Sequence, residues 1–231
     1  MPDYRDFDRL NILARIEGIL INETPLRVGV GREPPLGSPI DLAIYKVNDE
    51  PCIPGSSLKG LFRSYLESIL ASEGYKVHPP YDDESVEAEA KNGDFCVICG
   101  IFGNNELASH VRLYDSRAKS RRTFQKTGIS IDRDFGSVRA GALFTEELVP
   151  PNVEWSFRMD IINIKIYPEL DPEDERAKRL RSLIETLSTI GLNVGSRKSV
   201  GYGLIKLKKA KWTAYKVENG LLKKVGEGDV L

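Results

Sequence analysis

The chain has 231 residues, 41% of them hydrophobic and 29% charged, with a formal net charge of −1, which allows one large domain or two small ones with a real core and excludes a strongly basic or acidic protein. The neutral total conceals a basic segment, with eight Lys/Arg against three Asp/Glu from Arg112 to Arg139, and an acidic one, with six Asp/Glu against one Lys from Tyr81 to Asp94. No apolar run approaches the ~18 residues of a membrane span, the charged start lacks a signal core, and three cysteines make no disulfide framework, so a cytoplasmic location is expected.

The first predicted element is a strand over residues 11–22. Ile12, Ala14 and Ile16 alternate on one side, then Ile19 and Ile21 take over, which places a bulge at Gly18. Residues 27–41 read as a loop punctuated by glycine and proline, containing the acids Glu33 and Asp41. LAIYKV is a short strand, and PCIPGSSLKGLFRSYLESIL turns into a helix with Leu58, Leu61, Phe62, Tyr65, Leu66, Ile69 and Leu70 at helical spacing and Gly74 as its stop. Residues 75–94 are acidic and aperiodic, as in a solvated insertion, and residues 95–141 hold a cysteine pair, the basic segment and a hairpin.

ALFTEELV and VEWSFRMDIINI are predicted strands joined through Pro150-Pro151-Asn152. Asp171 as N-cap with Pro172 at the first helical position starts a second helix, whose core face is Ala177, Leu180, Leu183, Ile184, Leu187 and Ile190 and whose end is Gly191. YGLIKLKKAKWTAYKV closes the pattern as one strand or a pair. The order is β-α-β-β-α-β, an α+β fold on the ferredoxin-like plan that RNA-recognition modules share.

Three segments carry candidate chemistry. The first long helix opens with Ser56, Ser57 and Lys59, with Arg63 a turn later. Cations are misplaced at the positive end of a helix unless an anion such as phosphate joins them. GSRKSVGYG, residues 195–203, is a glycine-rich cationic loop in which Ser196, Arg197 and Lys198 can meet phosphate and Tyr202 can stack on a base. Neither stretch has the spacing of a Walker loop. Cys96 and Cys99 form a C-x-x-C that needs two further ligands to hold structural zinc. His78, His110 and Cys52 are the remaining His and Cys, with His78 the preferred partner. The bland alternatives are a capped helix, a surface turn and two small buried side chains.

In chain order, IPGSSLKGLFRSYLE, ICGIFG, TGISIDRDFGSVRAGALFTEELVPPNVEWSF and GLNVGSRKSVGYGLIKL resemble the RAMP superfamily of CRISPR-associated proteins, nearest the backbone subunits of type III effector complexes. The resemblance spans about residues 10–210. It implies a ferredoxin-like core, at about residues 10–74 and 142–214, that holds a guide RNA, and an insertion with a β-hairpin thumb at about 75–141. It also implies copies stacked along the guide beside other effector subunits, with complementary target RNA paired to it. On this reading Ser56, Ser57, Lys59 and Arg63 contact the guide backbone, while Arg121, Arg122, Lys126, Arg133 and Arg139 of the thumb follow phosphates and Phe124 or Phe135 wedges or stacks. Asp41 stands within a residue or two of the family's catalytic Asp. With Mg²⁺ it would promote attack of the RNA's own 2′-hydroxyl, leaving a 2′,3′-cyclic phosphate and a 5′-hydroxyl. Some relatives carry zinc in the insertion, which suits Cys96, Cys99 and His78. The rival functions are a non-catalytic RNA-binding subunit and a guide-precursor processing endoribonuclease. The guide-holding reading rests on Lys59 and Arg197 converging on one groove to grip a sugar-phosphate strand.

Overall fold

The computed structural model describes residues 3–31 and 37–230; Glu33 lies outside them. The chain runs β1 (Leu13–Asn22), β2 (Lys46–Val47), β3 (Glu50–Ile53), α1 (Gly55–Ser72), α2 (Asp83–Asn92), α3 (Val97–Phe102), β4 (Val111–Leu113) and β5 (Ser116–Arg117). It continues β6 (Phe124–Ile131), β7 (Val138–Leu148), β8 (Glu154–Ile162), α4 (Glu175–Thr189), β9 (Leu192–Asn193), β10 (Leu204–Glu218) and β11 (Leu221–Asp229).

The fold is mixed α and β, with antiparallel pairing in every named sheet. The main sheet is ordered β11-β10-β1-β8-β4, with β9 beside β10; β2-β3-β5 and β6-β7 form two small separate sheets. Strand alternation divides the main sheet into two faces. Ala14, Ile16 and Leu20 of β1, Trp155, Phe157, Met159 and Ile161 of β8, and Ile205 and Leu207 of β10 are buried in one core with Leu58, Phe62, Leu66 and Leu70 of α1 and Leu180, Leu183, Ile184 and Leu187 of α4. The opposite face carries Leu13, Arg15, Arg158 and Ile162. Among the described residues no helix is long and apolar enough to cross a membrane.

Several sequence expectations are corrected. The bulge belongs to β10, where Lys209 and Ala210 together oppose Gly18, while β1 stays in register with β8. Alternation therefore continues along β1, and Leu20 is buried rather than Ile19 or Ile21. Gly18 is needed for a different reason, since a Cβ there would stand 2.9 Å from Ala210 Cα. Of LAIYKV only Lys46–Val47 is strand. The acidic segment lacks an apolar period yet forms α2, capped by Asp82, which accepts the Ser85 N–H, and ended by Gly93 at φ 63°.

The strand between α1 and β8 in the main sheet is the three-residue β4, and ALFTEELV instead completes the hairpin as part of β7. The second helix begins three residues late, because Asp174 rather than Asp171 accepts an N-terminal amide, that of Arg176. Ile190 is 71% exposed and leaves the core face. After the Asn219-Gly220 turn, where both φ values are positive, β11 returns as an edge strand that the sequence reading left unassigned.

Candidate nucleic-acid interface and metal centre

The hairpin β6-β7 projects its apolar side chains outward: Ile131 is 63% exposed and Phe135, at the tip, 84%. Asp132 shapes that tip by accepting the Asp134 and Phe135 amides on Oδ1. Arg133 and Arg139 flank it, exposed, and Arg121 and Arg122 lie exposed just before β6. Arg121 has one weak tie, 3.4 Å to Glu50. Phe124 is partly exposed at the start of β6.

At its base the hairpin meets both the Asp41 loop and the glycine-rich loop. Asp41 and Leu42 donate backbone N–H groups to Thr145 O, and the Asp41 carboxylate accepts the Thr145 N–H at 2.7 Å through Oδ2. The next residue, Glu146, is buried and forms an ion pair with Arg197 at 2.9 Å. The Arg197 guanidinium also covers the Phe144 ring. Lys126 of β6 donates to the Tyr202 hydroxyl at 2.7 Å, a bond that raises its pKa. The loop is seated from below by Arg27, whose Nη1 donates to Ser196 Oγ and whose carbonyl accepts the Ser196 N–H. Burial and the Arg197 charge hold the Arg27 pKa down, against the pull of Glu146. Gly195 and Gly203 have positive φ, and side chains there would strike the carbonyls of Arg27 and Val194.

These contacts sort the cations. Arg197, Ser196 and Lys126 are engaged internally, and Tyr202 is buried, so it presents no free ring for stacking. Lys198, in a single 3₁₀ turn, is exposed. Asp41 does not pair with Lys46, which instead reaches Glu147 at 2.6 Å; Asp41 is exposed beside the cationic hairpin.

The start of α1 is built differently. Pro54 is its N-cap and no side chain caps it, so neither Ser56 nor Ser57 has that role. The first amide, Gly55 N–H, donates to the Asp115 carboxylate at 2.9 Å, so a protein anion already stands at the positive helix end. Ser56 and Lys59 line an open cavity of about 410 Å³ together with Pro80 and residues 102–104 and 107–109. Burial first, and Arg63 second, lower the Lys59 pKa. Arg63 itself is turned inward. Nε donates to Glu67, Nη1 to the Gly103 carbonyl at 2.7 Å, and Nη2 to Cys99 Sγ. Among the described residues, none lines the Lys59 cavity and also contacts Arg197. The two cationic elements therefore have separate anchors.

Behind the Lys59 cavity lies a buried group of four possible ligands, His78, Glu89, Cys96 and Cys99, with donor atoms all within 4.8 Å of one another. His78 Nε2 is 3.6 Å from each cysteine sulfur and 3.0 Å from Glu89 Oε1. A tetrahedral zinc with ordinary bond lengths would set its sulfur–nitrogen pairs about 3.6 Å apart and its nitrogen–oxygen pair about 3.4 Å apart. These three separations lie near the tetrahedral values, so the four residues form a group that could hold a metal ion.

Cys96 caps α3, accepting the Cys99 N–H, and its own N–H goes to Glu89. The hydrogen bond from Cys96 brings the Cys99 thiol down to about 6, and the same pairing, with burial, pushes Cys96 up. Burial lowers the His78 pKa, but the Pro79 carbonyl, Cys99 and Glu89 outweigh it and the net shift is upward. His110 and Cys52 stand outside this group: His110 is held by Asp6 at 2.8 Å, and Cys52 sits in β3 opposite Arg117. Glu89 is the donor that sequence reasoning missed, hidden in the acidic run seven residues before Cys96. Arg27 and Glu146, which seat the glycine loop, were missed as well.

A comparison with curated proteins finds no match. The model of the RAMP superfamily matches residues 20–206, a span that runs from the end of β1 through both cationic elements, the ligand group and the hairpin into β10; the chain belongs to the RAMP superfamily.

Proposed function

We propose that this protein, whose family implies a CRISPR-associated RNA-binding function, is a guide-RNA-binding backbone subunit of a type III interference complex that cuts target RNA at Asp41. The observation that carries the reading is the junction at the hairpin base, where Thr145 holds the exposed Asp41 carboxylate while the next residue, Glu146, and its cross-strand partner Lys126 hold the loop that carries Lys198. The main-sheet order β10-β1-β8-β4, with α1 between β1 and β4 and α4 between β8 and β10, suits a ferredoxin-like βαββαβ core. The segment between α1 and β4 then forms the insertion, and β6-β7 the thumb. Lys198, Arg121, Arg122, Arg133 and Arg139 would follow phosphates, and Phe135 would enter between bases. Base pairing with the guide, rather than side chains, would read the target sequence.

Divalent magnesium, when bound, supplies Lewis-acid neutralisation of the scissile phosphate and needs only one or two protein carboxylates beside RNA oxygens. Asp41 suits this need, being exposed with only Oδ2 bound to Thr145. Its Thr145 bond fixes the carboxylate against the hairpin, so that a phosphate held by the flanking cations meets it in one orientation. In the assembled complex, complementary RNA and Mg²⁺ should give a ladder of products ending in 2′,3′-cyclic phosphates, and Asp41→Ala should abolish it while RNA binding persists. Unchanged cutting by Asp41→Ala would place the chemistry elsewhere and leave this chain an RNA-holding subunit.

The buried His78, Glu89, Cys96 and Cys99 are proposed as a structural zinc site. Four protein donors, all buried, leave no open position for a substrate. Elemental analysis should give about one zinc per chain, and a value near zero would retire the site.

A further inference from the structure

The main-sheet face away from the helices carries a second cavity, of about 440 Å³, within the range that small-molecule sites occupy. Its floor is apolar, from Leu13, Ile162 and Leu222, and its walls are Arg15, Arg112 and Arg158 with Tyr114. Asp160 is 4% exposed beneath them and organises the wall. It accepts Arg15 Nε and Nη2 at 2.8 and 3.1 Å, Arg158 Nη2 at 3.1 Å and the Tyr114 hydroxyl at 3.0 Å. Among the described residues, both arginines therefore keep Nη1 free while their planes are fixed. Burial opposes the charge on Asp160, but these partners hold its pKa below the usual value.

Arg158 lies 4.2 Å from the centroid of the Tyr114 ring, on a residue that is 38% exposed. Arg112 is exposed and, among the described residues, makes no ion pair or side-chain hydrogen bond. Three guanidiniums thus face one carboxylate, an excess of two positive charges beside an aromatic face. At the rim, Arg9 is matched by Asp8.

We propose that this pocket binds a ribonucleoside 5′-phosphate unit of single-stranded RNA, its phosphate between Arg15 and Arg112 and its base on the exposed Tyr114 ring. Fixed guanidinium forks suit phosphate oxygens, and an aromatic face accepts any base. An acidic peptide would use the cations and leave the ring idle; a nucleotide uses both. The inference rests on the RNA-binding reading but not on the hairpin site, which the pocket shares no residue with.

The test uses the full chain and a labelled single-stranded RNA containing 4-thiouridine. A cross-link should map to Tyr114 or its neighbours. Tyr114→Ala should weaken binding about tenfold, and Tyr114→Phe should restore it. Arg112→Ala should lower the salt slope of binding by about one. Adenosine 5′-monophosphate should suppress the cross-link if a single nucleotide suffices, and only longer RNA should do so if the strand is required; either result keeps the nucleotide assignment. Suppression by inorganic phosphate alone at the same concentration would overturn it, as would wild-type affinity in both Tyr114→Ala and Arg112→Ala. If those variants bind normally while Arg121→Ala/Arg122→Ala loses RNA, this inference fails and the hairpin reading stands. If the hairpin variant also binds as wild type, the hairpin reading fails as well.

Discussion

The two cationic elements look alike in sequence and are built on opposite principles. In α1, Arg63 is buried against Gly103, Glu67 and Cys99, and Lys59 one turn earlier lines an open cavity. In the glycine loop, Arg197 is drawn to the buried Glu146, and Lys198 beside it faces solvent. Each element thus has one arginine that ties it down and one lysine available to a ligand. The anchors differ, however. The α1 arginine reaches through Cys99 to the proposed metal group, whereas the loop arginine is held by a carboxylate of the hairpin. Arginine suits both anchoring sites because its fork can satisfy several acceptors at once.

Metal removal should separate the two elements most strongly. Chelation, or Cys96→Ser with Cys99→Ser, should cost about 4 kcal/mol or more if zinc is held tightly, read as a fall in the urea midpoint. Hydrogen exchange should speed up in α2, α3 and α1 while the Arg197 loop stays protected; uniform loosening would break the comparison. Arg63→Ala should follow at about 3 kcal/mol, since a buried carbonyl and thiol lose their donor. Lys59→Ala should leave stability within ~0.5 kcal/mol and weaken RNA binding instead.

Arg197→Ala should cost about 2 kcal/mol, because Glu146 is left buried and unpaired. Adding Glu146→Gln should recover part of that loss, and a double-mutant cycle in urea measures how much. The smallest effect should come from a node outside both elements. His110 is fully buried, packed on Phe7 and held by Asp6, with Arg176 and Asp174 nearby. Burial first lowers its pKa, only partly offset by Asp6. The unfolded chain therefore binds the proton more readily, so stability is full above about pH 6.5 and declines as pH falls below it. Wild type and His110→Gln compared by urea midpoint between pH 8 and about pH 5 should show the slope reduced in the variant.

Much of this architecture was legible in the chain. Helical spacing located α1 and the body of α4, and period-two runs located β1, β8 and β10, because each buries a full face against one core. What escaped notice depends on tertiary partners. The three-residue β4 is too short for any period to show and exists because β8 pairs with it. Helix α2 has only Val86 and Glu89 buried, so its apolar stripe is nearly absent. Glu89 reads as one acid among six until the fold carries it to Cys96. The same holds for the RNA-contact candidates. Composition located the basic hairpin and loop but could not tell that Arg63, Arg197 and Tyr202 face inward, since nothing local distinguishes an anchoring cation from a presented one.

The most direct test of the central claim is to purify the full chain with whatever it assembles with and sequence the RNA that comes with it. The account predicts short guide RNAs that share a repeat-derived segment, bound strongly at low salt and shed as salt rises. Recovery of no RNA, or of unrelated cellular RNA with no common segment, would contradict it.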